Sequence, residues 1–214
     1  MPAPTATERP SGPTRSDRLN ASTHLDRGWS LISRGDPATA ESELLKALQL
    51  LPDETEPLVL LGWSLMLQGR HDDALVHLHR ALQREPSHAI ARVNVGYVCL
   101  MKGIYGEAIE HLSRAIRDGT DRKATLYATY YLGLLYSARE MYRDAEAFLG
   151  RALALGPNLI EAYYELGCAR WFGGNREGAL QAWRDGATAS KFSPWGLRCA
   201  AMLSDVEAGG EPQR

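Results

Sequence analysis

Small residues return along this chain at a nearly constant interval, and that rhythm restricts the fold more than any other feature. Gly28, Gly62 and Gly96 lie 34 residues apart, Gly133 follows after 37, and Gly167 comes 34 later. Ala40, Ala74, Ala108, Ala145 and Ala179 keep the same steps. So do Ala47, Ala81, Ala115 and Ala152, with Gly186 closing that column. Pro52, Pro86 and Pro157 make a fourth column, whose other two places hold Thr120 and Lys191. Self-similarity of this period marks a repeat architecture. Small side chains let two helices approach closely, and proline suits the point where one helix has stopped and another begins.

Between these columns the apolar spacing is helical, as in Leu58, Leu61 and Leu65 followed by Ala74, Leu75, Leu78, Ala81 and Leu82. Each unit therefore reads as two helices. The turn between them falls at Gly35-Asp36-Pro37, Gly69-Arg70, Lys102-Gly103 and Gly173-Gly174-Asn175, with Arg139-Glu140 serving without glycine in the fourth unit. Residues 123–125 (Lys-Ala-Thr) contain no breaker and are expected to add almost one turn to the fourth unit's first helix.

A glycine, two alanines and a closing proline in this order and period resemble the tetratricopeptide repeat family. The resemblance covers residues 21–193 and implies an all-α fold, a right-handed α-solenoid of five helix-turn-helix units at 21–54, 55–88, 89–122, 126–159 and 160–193. A capping helix is expected over 194–208, with Leu197, Ala200, Ala201 and Leu203 covering the end of the stack. The Pro/Ser/Thr-rich residues 1–20 and the tail 209–214 are expected to be disordered. His24 and Arg27 stand where the second unit has Leu58 and Leu61, as suits a terminal repeat with one face in water. Arg170 replaces an apolar residue in the fifth unit, and snorkelling is favoured over pairing with Glu165 or Glu177.

The resemblance also implies that the first helix of each unit lines a concave surface that receives an extended peptide or a partner helix. On those helices a second apolar stripe runs through Leu25, Trp29 and Ile32, then Val59, Trp63 and Met66, then Val93, Tyr97 and Leu100. It goes on through Tyr130, Leu134 and Ser137 to Tyr164, Cys168 and Trp171, at spacings of four and three that hold one face. Two readings stand side by side: the stripe packs against neighbouring helices, or it forms a groove that a partner fills. Aromatic residues suit both. Trp29, Trp63 and Tyr97 form the strongest candidate ladder, with Asp26, Glu56, Glu161 and Glu165 as an acidic rim. Some tetratricopeptide domains instead grip a C-terminal carboxylate through Lys and Asn; the corresponding places here hold Leu25, Trp29, Trp63, Ile90 and Asn94, of which Asn94 alone has the right chemistry.

Signals for reactive chemistry are sparse. His77 and His79 are the nearest histidine pair, and positions i and i+2 of a helix diverge. No HExxH, CxxC, GxGxxG, Walker-type or GxSxG motif occurs, so no catalytic, cofactor or metal role is expected. A net charge of −2 gives no general attraction to nucleic acid or anionic lipid. The N-terminal twenty residues lack the apolar core of a secretory signal, and Cys99, Cys168 and Cys199 form an odd set suited to a reducing compartment, so cytoplasmic residence is expected. The leading expectation is a non-enzymatic protein-interaction adaptor. Its alternatives are a scaffold that self-assembles as a homo-oligomer and the regulatory subunit of an enzyme complex. A further expectation is that the Pro-rich N-terminus folds back into the groove as a self-inhibitor.

Overall fold

The computed structural model describes residues 12–212, in which every regular element is a helix. In chain order these are α1 (Arg15–Ser33), α2 (Pro37–Leu50), α3 (Thr55–Leu67), α4 (His71–Arg84), α5 (Ala89–Met101), α6 (Tyr105–Asp118), α7 (Arg122–Ala138), α8 (Tyr142–Leu155), α9 (Ile160–Phe172), α10 (Arg176–Ala189) and α11 (Pro194–Glu207). The chain forms two compact units, Met1–Asn94 and Val95–Arg214, and the boundary between them falls inside α5.

The glycine column marks where the two helices of a pair meet. A Cβ placed on Gly28, Gly62, Gly96 or Gly133 would lie 2.6 Å from a carbon of Leu44, Leu78, Leu112 or Leu149, respectively. Each of those leucines is wholly buried. At Gly167 the partner is Trp183, 2.1 Å from such a Cβ and 0% exposed, with its indole N–H donating to the Tyr164 carbonyl at 3.1 Å. The alanine columns are buried as well: Ala40, Ala74, Ala108, Ala145 and Ala179 are all at 0% exposure. Any larger side chain there would hold the paired helices apart.

The turns inside the pairs share one hydrogen-bond pattern. Gly35, Gly69, Gly103 and Gly174 have positive φ, as does Glu140 at 61°. Around Gly35, its own N–H donates to Ile32 O at 3.0 Å while Asp36 N–H donates to Leu31 O at 3.0 Å, the double closure of a Schellman motif. Glu140 and Met141 repeat it, donating to Ser137 O and Tyr136 O at 3.0 and 2.9 Å. The fourth turn thus has the same geometry as the glycine turns with an L-residue in the left-handed region.

Within each unit the odd-numbered helices approach one another. In the first, α1 packs on α2 and also touches α3; in the second, α7 touches α9 and α9 touches α11. Among the described residues no such contact joins α2 to α4 or α8 to α10. Odd-numbered helices therefore line the inner side of each unit taken by itself. Polar contacts brace the successive pairs: the buried Ser64 hydroxyl donates to Pro37 O at 2.7 Å, and Arg70 forms an ion pair with Glu41 at 2.8 Å.

Several expectations are corrected. Helix α1 starts at Arg15, because Thr14 and Asp17 close a capping box, so residues 15–20 are helical; residues 1–11, and the inhibitory role expected of them, lie outside the described residues. Gly209 and Gly210 cap α11 by donating to Val206 O and Asp205 O, and of the expected tail only residues 213–214 lie outside the described residues. Arg170 does not snorkel: it donates to Glu146 of α8 at 2.7 Å and to Gly178 O at 3.1 Å. His24 is turned toward α2, with its Nδ1 2.8 Å from Glu43. Hydrogen bonds from Lys46 and then His24 hold the Glu43 carboxyl down at about 2. The three-residue insertion extends α7 to 17 residues against 13 for α3, and the Asp121 side chain caps it through Ala124 N–H.

Replacing Glu140 by glycine removes the left-handed penalty of an L-residue, about 1–2 kcal/mol, against a smaller entropic loss. Glu140→Gly is expected to raise stability by roughly 0.5–1 kcal/mol, read as an upward Tm shift in thermal circular dichroism.

Candidate functional site

The apolar stripe divides in the structure into packed and open members. Val59, Met66, Val93 and Tyr130 are buried, at 9% exposure or less, so these four stripe members follow the packing alternative of the two. Val59 lies in a core cluster with Leu58, Ala81 and Ala91, and Tyr130 in one with Ala145, Leu149 and Leu166. Leu25, Trp63, Asn94, Tyr97, Leu134, Tyr164, Cys168 and Trp171 are half-buried, while Trp29 is 53% exposed.

The ladder residues have different surroundings. Tyr97 packs its ring 4.7 Å from Tyr131, which also meets Tyr127 and Tyr130 at 6.0 and 5.5 Å. Burial pushes the Tyr130 and Tyr131 hydroxyls well above the ordinary tyrosine range, so this cluster is neutral. Trp171 turns toward Trp183 at 5.9 Å, with the Arg176 guanidinium 4.9 Å over its ring. The aromatic column is therefore packed at Tyr97 and Trp171 and open at Trp29.

One pocket of about 300 Å³ gathers the open members of the second unit. Leu134, Ser137 and Ala138 reach it from the end of α7, Tyr142 from the start of α8, and Tyr164, Glu165, Cys168, Ala169 and Phe172 from α9. The α7–α8 turn sets this geometry, because the positive φ at Glu140 folds Tyr142 back beside Phe172, where the rings stack at 6.0 Å. Leu134, Ser137, Tyr164 and Cys168 were legible from the stripe. Tyr142, Ala138 and Phe172 were not, because a helix-face reading does not see residues that meet around a turn.

Glu165 gives the pocket its charge. Among the described residues no hydrogen bond or ion pair reaches its carboxylate, and burial raises its pKa against the opposing field of Arg198. Arg198 is occupied elsewhere, 4.7 Å over the Trp195 ring and 5.7 Å from that of Tyr164. Burial, reinforced by Glu165, lifts the Cys168 thiol to about 12, so it is protonated and unreactive at neutral pH. The site offers aromatic and aliphatic walls, one acid and no activated nucleophile.

The family model for the tetratricopeptide repeat matches residues 25–75 and 59–123. Residues 25–123 carry tetratricopeptide repeats. Solved structures of similar fold include a thermophilic tetratricopeptide protein of Thermus thermophilus, 23% identical, with a TM-score of 0.75 over 86% of this chain and 99% of that one. MamA of Desulfovibrio magneticus, residue 41 to its end, is 22% identical, with a TM-score of 0.64 over 82% of this chain and 97% of that one. YrrB, described as a tetratricopeptide protein with an unusual peptide-binding site, is 17% identical, with a TM-score of 0.58 over 87% and 94%. At these identities the likeness carries the tetratricopeptide fold and nothing finer. No curated protein matches the sequence significantly.

A carboxyl whose folded pKa is raised releases its proton first in the unfolded chain, so stability falls as pH rises from the ordinary carboxyl range through the folded value. Glu165→Gln is therefore expected to leave stability unchanged at pH 4 and to increase it at pH 8, measured by urea denaturation at both.

Proposed function

We propose that this tetratricopeptide chain is a non-enzymatic adaptor that holds a segment of a partner protein along the inner faces of its odd-numbered helices. The open pocket between α7 and α9 carries the reading. It is concave, mostly apolar, and bordered by four residues of the predicted stripe, Leu134, Ser137, Tyr164 and Cys168. A monomer gains nothing from keeping Leu134, Tyr164 and Phe172 beside open space, whereas a partner side chain would bury them and act as an anchor. The peptide-binding site in the name of YrrB lends support by analogy of fold.

The expected ladder of Trp29, Trp63 and Tyr97 enters this proposal with unequal members. Exposed Trp29 offers a second contact, whereas Tyr97 chiefly packs against Tyr131. Of the carboxylate-clamp positions, Asn94 alone carries a matching side chain, so an apolar or mixed anchor fits better than a chain terminus. The three free cysteines suit a reducing cytoplasm. Among the described residues no helix is long and apolar enough to cross a membrane.

Ala138 is exposed at the rim of the pocket, so a large side chain there plugs it without entering the core. Ala138→Trp is expected to lose at least roughly tenfold in retention of the proteins captured from the native cell, with helical circular dichroism and Tm unchanged. Undiminished capture by a folded Ala138→Trp chain would remove the pocket from the binding surface.

A further inference from the structure

The pocket between α7, α8 and α9 has a chemical feature that apolar recognition leaves unused. A carboxylate stands in its wall without an internal partner, next to Tyr164 on the same helix. If an apolar anchor filled the space, Glu165 would be cut off from water and left uncompensated, a costly outcome for an ion. A cation entering with its charged head at Glu165 removes that cost. The surrounding walls favour the same occupant, because the stacked Tyr142 and Phe172 rings present π faces that attract cations.

The local field points the same way. Glu161 precedes Glu165 by one helical turn, and both acids act on the buried Tyr130 hydroxyl. Arg198, the cation whose field reaches Glu165, is stacked on Trp195 and does not close an ion pair with it. A volume of about 300 Å³ exceeds what a bare inorganic cation needs, and Leu134 and Cys168 give an aliphatic stem an apolar channel. A single carboxylate is also too small a donor set for a metal.

We propose that this pocket receives a lysine or arginine side chain of the partner, its stem against Leu134, Tyr142 and Phe172 and its charged head at Glu165. The inference rests on the reading of the odd-numbered helix faces as a protein-binding surface and specifies the chemistry of one anchor. It makes the partner segment basic at this position, in keeping with the acidic residues around it.

The test uses the full chain and the peptides acetyl-Ala-Xaa-Ala-amide, with Xaa as lysine, arginine or norleucine, titrated against 15N-labelled protein by NMR. Lysine and arginine peptides are expected to shift the amides of Leu134, Ala138, Cys168 and Phe172, with affinities in about the millimolar range and roughly tenfold above that of norleucine. Glu165→Gln is expected to bring all three within about twofold of one another while its amide dispersion stays native. Norleucine binding as tightly as lysine would overturn the cationic anchor and leave the adaptor reading standing. Lysine binding undiminished in Glu165→Gln would overturn the role assigned to the carboxylate. No shift from any peptide would overturn the pocket as a site for a side chain, while the capture experiment with Ala138→Trp separately decides whether this face binds protein at all.

Discussion

The contact between a glycine on one helix and a large apolar side chain sixteen residues later on the next is the constraint on which the rest of the structure depends. It recurs at Gly28 with Leu44, Gly62 with Leu78, Gly96 with Leu112, Gly133 with Leu149 and Gly167 with Trp183. Each glycine forgoes helix propensity, about 1 kcal/mol relative to alanine, so that the partner side chain can lie against bare backbone. Burying a leucine there returns about 1.5–3 kcal/mol, so packing outweighs propensity. The flanking alanines extend the same close approach along the pair.

Close pairing has consequences for the surface. With its leucine face spent inside the pair, an odd-numbered helix must dispose of a second apolar face, and neighbouring odd-numbered helices take up most of it. Tyr130 and Val59 are consumed in this way, as is most of the tyrosine cluster around Tyr131. What remains open does so for local reasons. At the end of α7 the turn carries Tyr142 beside Phe172 and leaves a concavity over Leu134 and Cys168 in which Glu165 stands without an internal partner. Open concave space thus remains where the repeat geometry is incompletely filled.

The architecture was largely legible in the residues, because steric columns act through backbone spacing and need no knowledge of the partner chain. The longer α7 followed from an insertion free of breakers, and the glycine-free turn at Glu140 followed from its place in the period. Side-chain partnerships were less accessible. Arg170 pairs with Glu146 from the neighbouring helix pair, a partner that the spacing within its own unit does not reveal. Trp183 stands in a column of leucines and so passes for an ordinary core residue, although its indole needs the Tyr164 carbonyl as well as space. The stripe did not separate packed members from open ones, since burial depends on how closely the next helix approaches.

A double-mutant cycle on Gly62 and Leu78 tests the central contact most directly, by urea denaturation of Gly62→Ala, Leu78→Ala and the double variant. Crowding by the new methyl is expected to cost about 1–3 kcal/mol and the cavity from Leu78→Ala about 2–5 kcal/mol. The double variant should lose less than the sum by at least about 0.5 kcal/mol, because the added methyl occupies space the leucine has left. A Gly62→Ala chain as stable as the parent or more so, as helix propensity alone would predict, with additive losses in the double variant, would contradict the account.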